Sequence, residues 1–155
     1  MTKTQAKLLI YKANKFMQKL DGIDSFSITL LYDNSSLMRK EFHQTHNIDC
    51  LNDRLFLPHP VNINLLISQI VTLSGTAECF RCWLIYEGKV KIVINGNNFT
   101  SFAQSIFREQ GTYDLTLFFD ITRRVIVVCD NEYDIDIYTT TYLSLIHISE
   151  PTRLR

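Results

Sequence analysis

The sequence is poor in the residues that interrupt regular structure, with five glycines and three prolines among 155 residues. No stretch is rich in glycine, proline or serine and no segment repeats, which excludes a flexible linker and a repeat array. The length suits one domain that forms its core without disulfides or a bound metal. We therefore expect a single domain that needs no cofactor.

The chain also lacks an excess of charge of either sign, because 16 lysines and arginines balance 16 aspartates and glutamates. This balance excludes a basic arm for nucleic acid and an acidic tail. The apolar share of 46% excludes a wholly disordered chain. Nucleic acid is therefore not an expected partner.

Long apolar runs are missing as well. No run reaches the roughly 18 residues that a membrane-spanning helix requires. The first apolar stretch, residues 8–11, is short and ends at Lys12, which does not fit a signal peptide. We expect no membrane association and a reducing, cytoplasmic location in which the four cysteines remain thiols.

The end of the chain carries a segment of a different kind. Residues 143–153, LSLIHISEPTR, are identical to one translated frame of a transposase mosaic-end sequencing adapter. We therefore expect residues 143–155 to be adapter sequence, and residues 1–142 to be a domain truncated at its C-terminus. Residues 1–142 hold 4 alanines against 15 isoleucines and 10 asparagines, a composition typical of AT-rich DNA in low-GC bacteria and their phages.

Hydrophobic periodicity predicts three helices. In each, apolar side chains recur at helical spacing, and a glycine follows the last turn. Asparagine caps the second and third helices. The predicted spans are residues 4–20 before Gly22, residues 62–74 before Gly75, and residues 98–110 before Gly111.

Segments rich in β-branched and aromatic residues predict the strands, and the short links between them favour antiparallel neighbours. Residues 55–60 are expected to run extended because of their prolines. The predicted fold is α+β, with three helices and a mostly antiparallel sheet of about five to six strands, in the order α-β-α-β-β-α-β-β-β. The predicted strands are residues 26–32, 80–86, 89–95, 113–119, 123–129 and 133–142.

An alternating acidic segment, DNEYDIDIY, is the most regular chemical pattern in the chain. Its carboxylates belong to Asp130, Glu132, Asp134 and Asp136. If one strand contains all of them, its period of two places them on one solvent-facing side, where like charges repel. Such a face suits a basic protein partner or a divalent cation, or simply keeps the sheet edge soluble.

A second pattern contains possible zinc ligands. Cys79 and Cys82 have the spacing of a metal knuckle, and His43, His46 and Cys50 lie upstream. Against this hypothesis, positions i and i+3 of a strand point to opposite faces. Buried structural thiols are the competing interpretation.

Known catalytic and nucleotide-binding motifs are missing, including the P-loop, GxGxxG, GxSxG and HExxH patterns. We therefore expect a small binding module without enzymatic activity, of the immunity or inhibitor type, whose acidic segment binds a basic partner. The alternative is a metal-dependent enzyme or a zinc-stabilised regulator that uses the His/Cys group or the acidic segment. The oligomeric state is not predicted by the sequence.

Overall fold

The computed structural model describes residues 1–31 and 53–141, with the backbone alone for Asp53 and Arg54. His43, His46, Cys50 and the segment 143–155 lie outside the described residues. The described part contains three helices and seven strands. They are α1 (Lys3–Gln18), β1 (Ile23–Leu30), β2 (Asp53–Pro58), α2 (Ile63–Ser74), β3 (Phe80–Tyr86), β4 (Val90–Gly96), α3 (Phe99–Gln110), β5 (Leu115–Phe119), β6 (Arg124–Asp130) and β7 (Asp134–Thr141).

The seven strands form one sheet in the order β1-β4-β3-β5-β6-β7-β2, and every neighbouring pair is antiparallel. The predicted α+β class is confirmed. The sheet is wider than the predicted five to six strands, because residues 53–58 pair with β7 as an edge strand. An edge position tolerates Pro58, which has no N–H to donate to a neighbouring strand.

α2 and α3 begin and end at the predicted asparagine and glycine signals, whereas α1 ends at Gln18, before the predicted residue 20. Thr2 forms a capping box with Gln5 at the start of α1. Asn62 and Asn98 accept backbone N–H bonds at the starts of α2 and α3. Both of these helices end at a glycine in the left-handed conformation, Gly75 and Gly111, which a residue without Cβ adopts readily.

All three helices pack on one face of the sheet and form the main core with it. Three fully buried members from the helices are Ala13, Ile70 and Phe102, and two from the sheet are Ile92 and Leu117. A second, smaller cluster lies on the opposite face. It consists of Trp83, Phe118, Val125, Val127 and Tyr138, all buried.

Strand register brings several turns to one end of the sheet, which we call the turn end. Leu30 and Tyr86 both pair with Val90, and Asp130 pairs with Ile135 beside the turn into β7. The turn end therefore carries the β3–β4 turn, the α3–β5 link and the β6–β7 turn. The N-terminal half of α1 lies at the same end, because α1 runs antiparallel to β1.

Candidate functional site

The acidic segment does not form one continuous strand. β6 ends at Asp130 and β7 begins at Asp134, and the backbone N–H of Asn131 donates to the Asp134 carbonyl at 2.9 Å to close the turn between them. The prediction of four carboxylates on one solvent-facing strand is therefore wrong. An exposed turn interrupts the alternation, because residues 131–133 leave the ladder that pairs β6 with β7.

Asp136 departs furthest from the prediction, since only 6% of its surface is exposed. Its Oδ2 accepts hydrogen bonds from the Tyr138 hydroxyl at 2.8 Å and from Asn131 Nδ2 at 3.0 Å. The period of two holds here, because Ile135 and Ile137 face the main core. The same period places Asp136 on the opposite face of the sheet, where the second cluster is buried.

Asp130 also holds neighbouring elements in place. Its Oδ2 accepts from the Tyr113 backbone N–H at 3.1 Å and from the Thr112 hydroxyl at 3.3 Å. Its own N–H donates to Asp114 Oδ1 at 2.8 Å. These bonds tie the end of β6 to the link between α3 and β5, and they bring Asp114 beside the acidic turn.

His59 belongs to this site although sequence reasoning did not select it. Its Nε2 lies 3.1 Å from Asp130 Oδ1 and 3.0 Å from the Asn131 carbonyl oxygen. Both of these oxygens only accept, so Nε2 carries the hydrogen in either charge state of the ring. The backbone N–H of His59 donates to the Tyr133 carbonyl at 3.1 Å. The contacts span more than 70 positions in sequence, and no local pattern signals them.

The tip of the turn is exposed. Tyr133 has 78% of its surface exposed, Glu132 is exposed and Asp134 is half-buried. Among the described basic side chains, His59 alone lies within ion-pair distance of Asp114, Asp130, Glu132 or Asp134. The turn thus carries an exposed aromatic ring between Glu132 and Asp134 in the sequence, and its hydrogen bonds connect it to β7, to His59 and to the link before β5.

The two described cysteines of the hypothetical zinc site lie in different environments. Cys79 is exposed just before β3, whereas Cys82 is fully buried in the main core. Burial, with a smaller contribution from the charge of Asp120, raises the pKa of the Cys82 thiol far above its ordinary value. Zinc binds the thiolate, which this environment opposes. Within residues 1–31 and 53–141 no three His, Cys, Asp or Glu side chains form a metal-binding group.

Comparisons with family models, characterised proteins and solved structures found no match to this chain. The geometry of the acidic turn is therefore the basis for a functional argument. In the described part of the chain, none of the helices has the length and apolar character needed to cross a membrane.

Proposed function

We propose that this protein is a cytoplasmic binding module, of the immunity or inhibitor type, that recognises a basic protein partner through its β6–β7 turn. The observation that carries the proposal is Tyr133, which is 78% exposed between Glu132 and Asp134. Exposed tyrosines are common anchors of protein interfaces, and carboxylates around them attract a basic surface over distance.

The fixed geometry of the turn also supports a role in binding. The Asn131 and His59 backbone amides hold Asp134 and Tyr133, and the Asp130 carboxylate holds the adjoining link. A turn that is ordered before binding loses little conformational entropy when the partner arrives.

A fluorescent decalysine peptide provides the test, with fluorescence anisotropy as the measurement. We expect the Glu132→Gln/Asp134→Asn variant to bind the peptide at least about fivefold more weakly, and salt to weaken wild-type binding by screening. Asp21→Asn/Glu78→Gln removes the same charge at the opposite end of the sheet and is the matched control. Tyr133→Ser is expected to weaken binding without any change in charge.

Equal losses of peptide affinity in the Glu132→Gln/Asp134→Asn variant and in its control would mean that net charge alone governs binding. This result would refute a role of the turn. Proton chemical shifts of residues 131–134 that do not move when the peptide is added would refute it as well.

A further inference from the structure

A cleft lies at the turn end beside α1. Its volume is about 790 Å³. Its apolar lining includes Leu9 and Leu31, which are buried, and Leu8, which is 52% exposed. Among the described residues that line the cleft, the charged side chains are Lys3, Lys12 and Lys89 and a single carboxylate, Glu87.

This cleft and the acidic turn share one end of the molecule. The cleft lies between the N-terminal half of α1, Leu31 and the β3–β4 turn, and the acidic turn joins β6 to β7. β3 and β5 lie between β4 and β6, so the two features occupy different parts of the same end of the sheet. The turn end therefore has a basic half with an apolar hollow and an acidic half with an exposed aromatic ring.

We propose that two copies of this chain associate through their turn ends around a twofold axis, with Tyr133 of each copy in the lysine-rimmed cleft of the other. This inference rests on the proposed function, since it names a second copy as the basic partner of the turn. A twofold rotation places the acidic half of each copy against the basic half of the other, so one interface makes both contacts.

The charges of the two halves are opposite, and an apolar lining in one half corresponds to an aromatic ring in the other. Glu132 and Asp134 flank the ring of Tyr133, and lysines flank the apolar lining that would receive it. An exposed aromatic side chain in an apolar pocket, with opposite charges at the rim, is the usual arrangement of a binding anchor. Two such contacts in one dimer act together, so each contact by itself needs only modest strength.

A charge-swap experiment with sedimentation velocity tests the dimer. The acid-swapped variant is Glu132→Lys/Asp134→Lys, and the base-swapped variant is Lys3→Glu/Lys12→Glu/Lys89→Glu. Each variant alone carries the same sign of charge at both altered patches, the β6–β7 turn and the cleft rim, and is expected to be monomeric. An equimolar mixture is expected to form a one-to-one heterodimer, and a chain with all five changes is expected to dimerise with itself.

Controls separate the interface from general charge effects. Lys15→Glu/Lys19→Glu changes charges at the C-terminal end of α1, away from the cleft. This variant is expected to have a dimer dissociation constant within about twofold of the wild-type value. Tyr133→Ala is expected to weaken the dimer at least about tenfold. If Asp134→Lys disturbs the turn, as circular dichroism would show, Glu132→Lys alone replaces it, because the Glu132 side chain is exposed and Tyr133 is retained.

The proposal is overturned if the wild type remains monomeric at millimolar concentration, if either swapped variant still dimerises alone, or if their mixture does not associate. Decalysine binding distinguishes this failure from failure of the proposed function. A monomeric wild type whose β6–β7 turn binds decalysine would retain the binding role and exclude the second copy as the partner.

Discussion

At the scale of single residues, Asp136 is the clearest case of a charged side chain with a structural role. The Tyr138 hydroxyl and Asn131 Nδ2 both donate to its Oδ2 within a buried environment. Removal of this acceptor leaves two polar groups to find new partners. The carboxylate therefore connects β7 with the turn that precedes it.

We predict that Asp136→Ala lowers the free energy of unfolding by about 2 kcal/mol, because the buried Tyr138 hydroxyl loses its acceptor. Urea unfolding followed by circular dichroism measures this loss. Glu132→Ala, at an exposed position of the same turn, is the control and should change stability by less than about 0.5 kcal/mol. A neutral Asp136→Ala variant would show that these hydrogen bonds do not support the fold.

The two cysteines around β3 allow a prediction about reactivity. The raised pKa of Cys82 disfavours the thiolate, which is the form that attacks a disulfide reagent, whereas Cys79 is exposed. We expect the folded Cys79→Ser variant to show no rapid reaction at Cys82 with Ellman's reagent at pH 8. The matched Cys82→Ser variant should react at Cys79 at once. Mass spectrometry assigns the modified cysteine, and rapid labelling of Cys82 before unfolding would contradict its burial.

At the scale of elements, the link between α1 and β1 rests against the start of α3. The Asn97 backbone N–H donates to the Gly22 carbonyl at 2.9 Å. Gly22 has a φ of +72°, and a Cβ at this position would collide with the Asn98 carbonyl oxygen. Gly22 thus permits both a left-handed turn and a close approach of two backbones.

We predict that Gly22→Ala destabilises the protein by more than about 2 kcal/mol, since backbone strain and a steric clash add together. Gly88→Ala is the matched control. Gly88 has a similar φ of +68°, but a Cβ added there would meet no atom within 4 Å. Its cost should be about 1 kcal/mol, the strain alone. Equal losses of stability in the two variants, measured by thermal denaturation, would show that the close approach of Gly22 to Asn98 is unimportant.

Elements with local signals could be predicted from the sequence. α2 and α3 follow from an asparagine cap, helical spacing of apolar residues and a terminal glycine, all within a short stretch of chain. β2 was predicted only as extended, because its pairing with β7 depends on residues far away in the sequence. The sequence indicates the position of the acidic site but not which of its side chains face solvent, because residues 131–133 interrupt the alternation. It does not indicate the contact with His59, because His59 is distant in the sequence.

At the scale of the whole molecule, the sheet has a large core on the side of the helices and a smaller cluster on the other side. The main core contains members from all three helices and from all strands except β1 and β2, whose apolar residues pack against it while partly exposed. Burial of this extent gives apolar contacts the main role in stability. We therefore expect the fold to be independent of bound metal.

We accordingly predict that a chelator leaves the midpoint of thermal unfolding unchanged. A structural zinc ion contributes much of the folding free energy where it is present, so its removal would lower the midpoint clearly. The measurement compares melting with EDTA and with added zinc. A clear loss in EDTA would restore the zinc hypothesis for Cys79 and Cys82 with the upstream histidines and Cys50.

The second cluster makes this protein convenient for optical work. Trp83 is the one tryptophan of the chain, it is 3% exposed, and it stacks on Phe118 with 3.7 Å between ring centroids. Lys91 Nζ lies 4.5 Å from its ring centroid, and its indole N–H donates to Asp120 at 3.1 Å. Tryptophan emission therefore reports on the face without the described helices, while helical ellipticity reports on the other. Coincidence of the two signals during denaturation would show whether both faces melt as one cooperative unit.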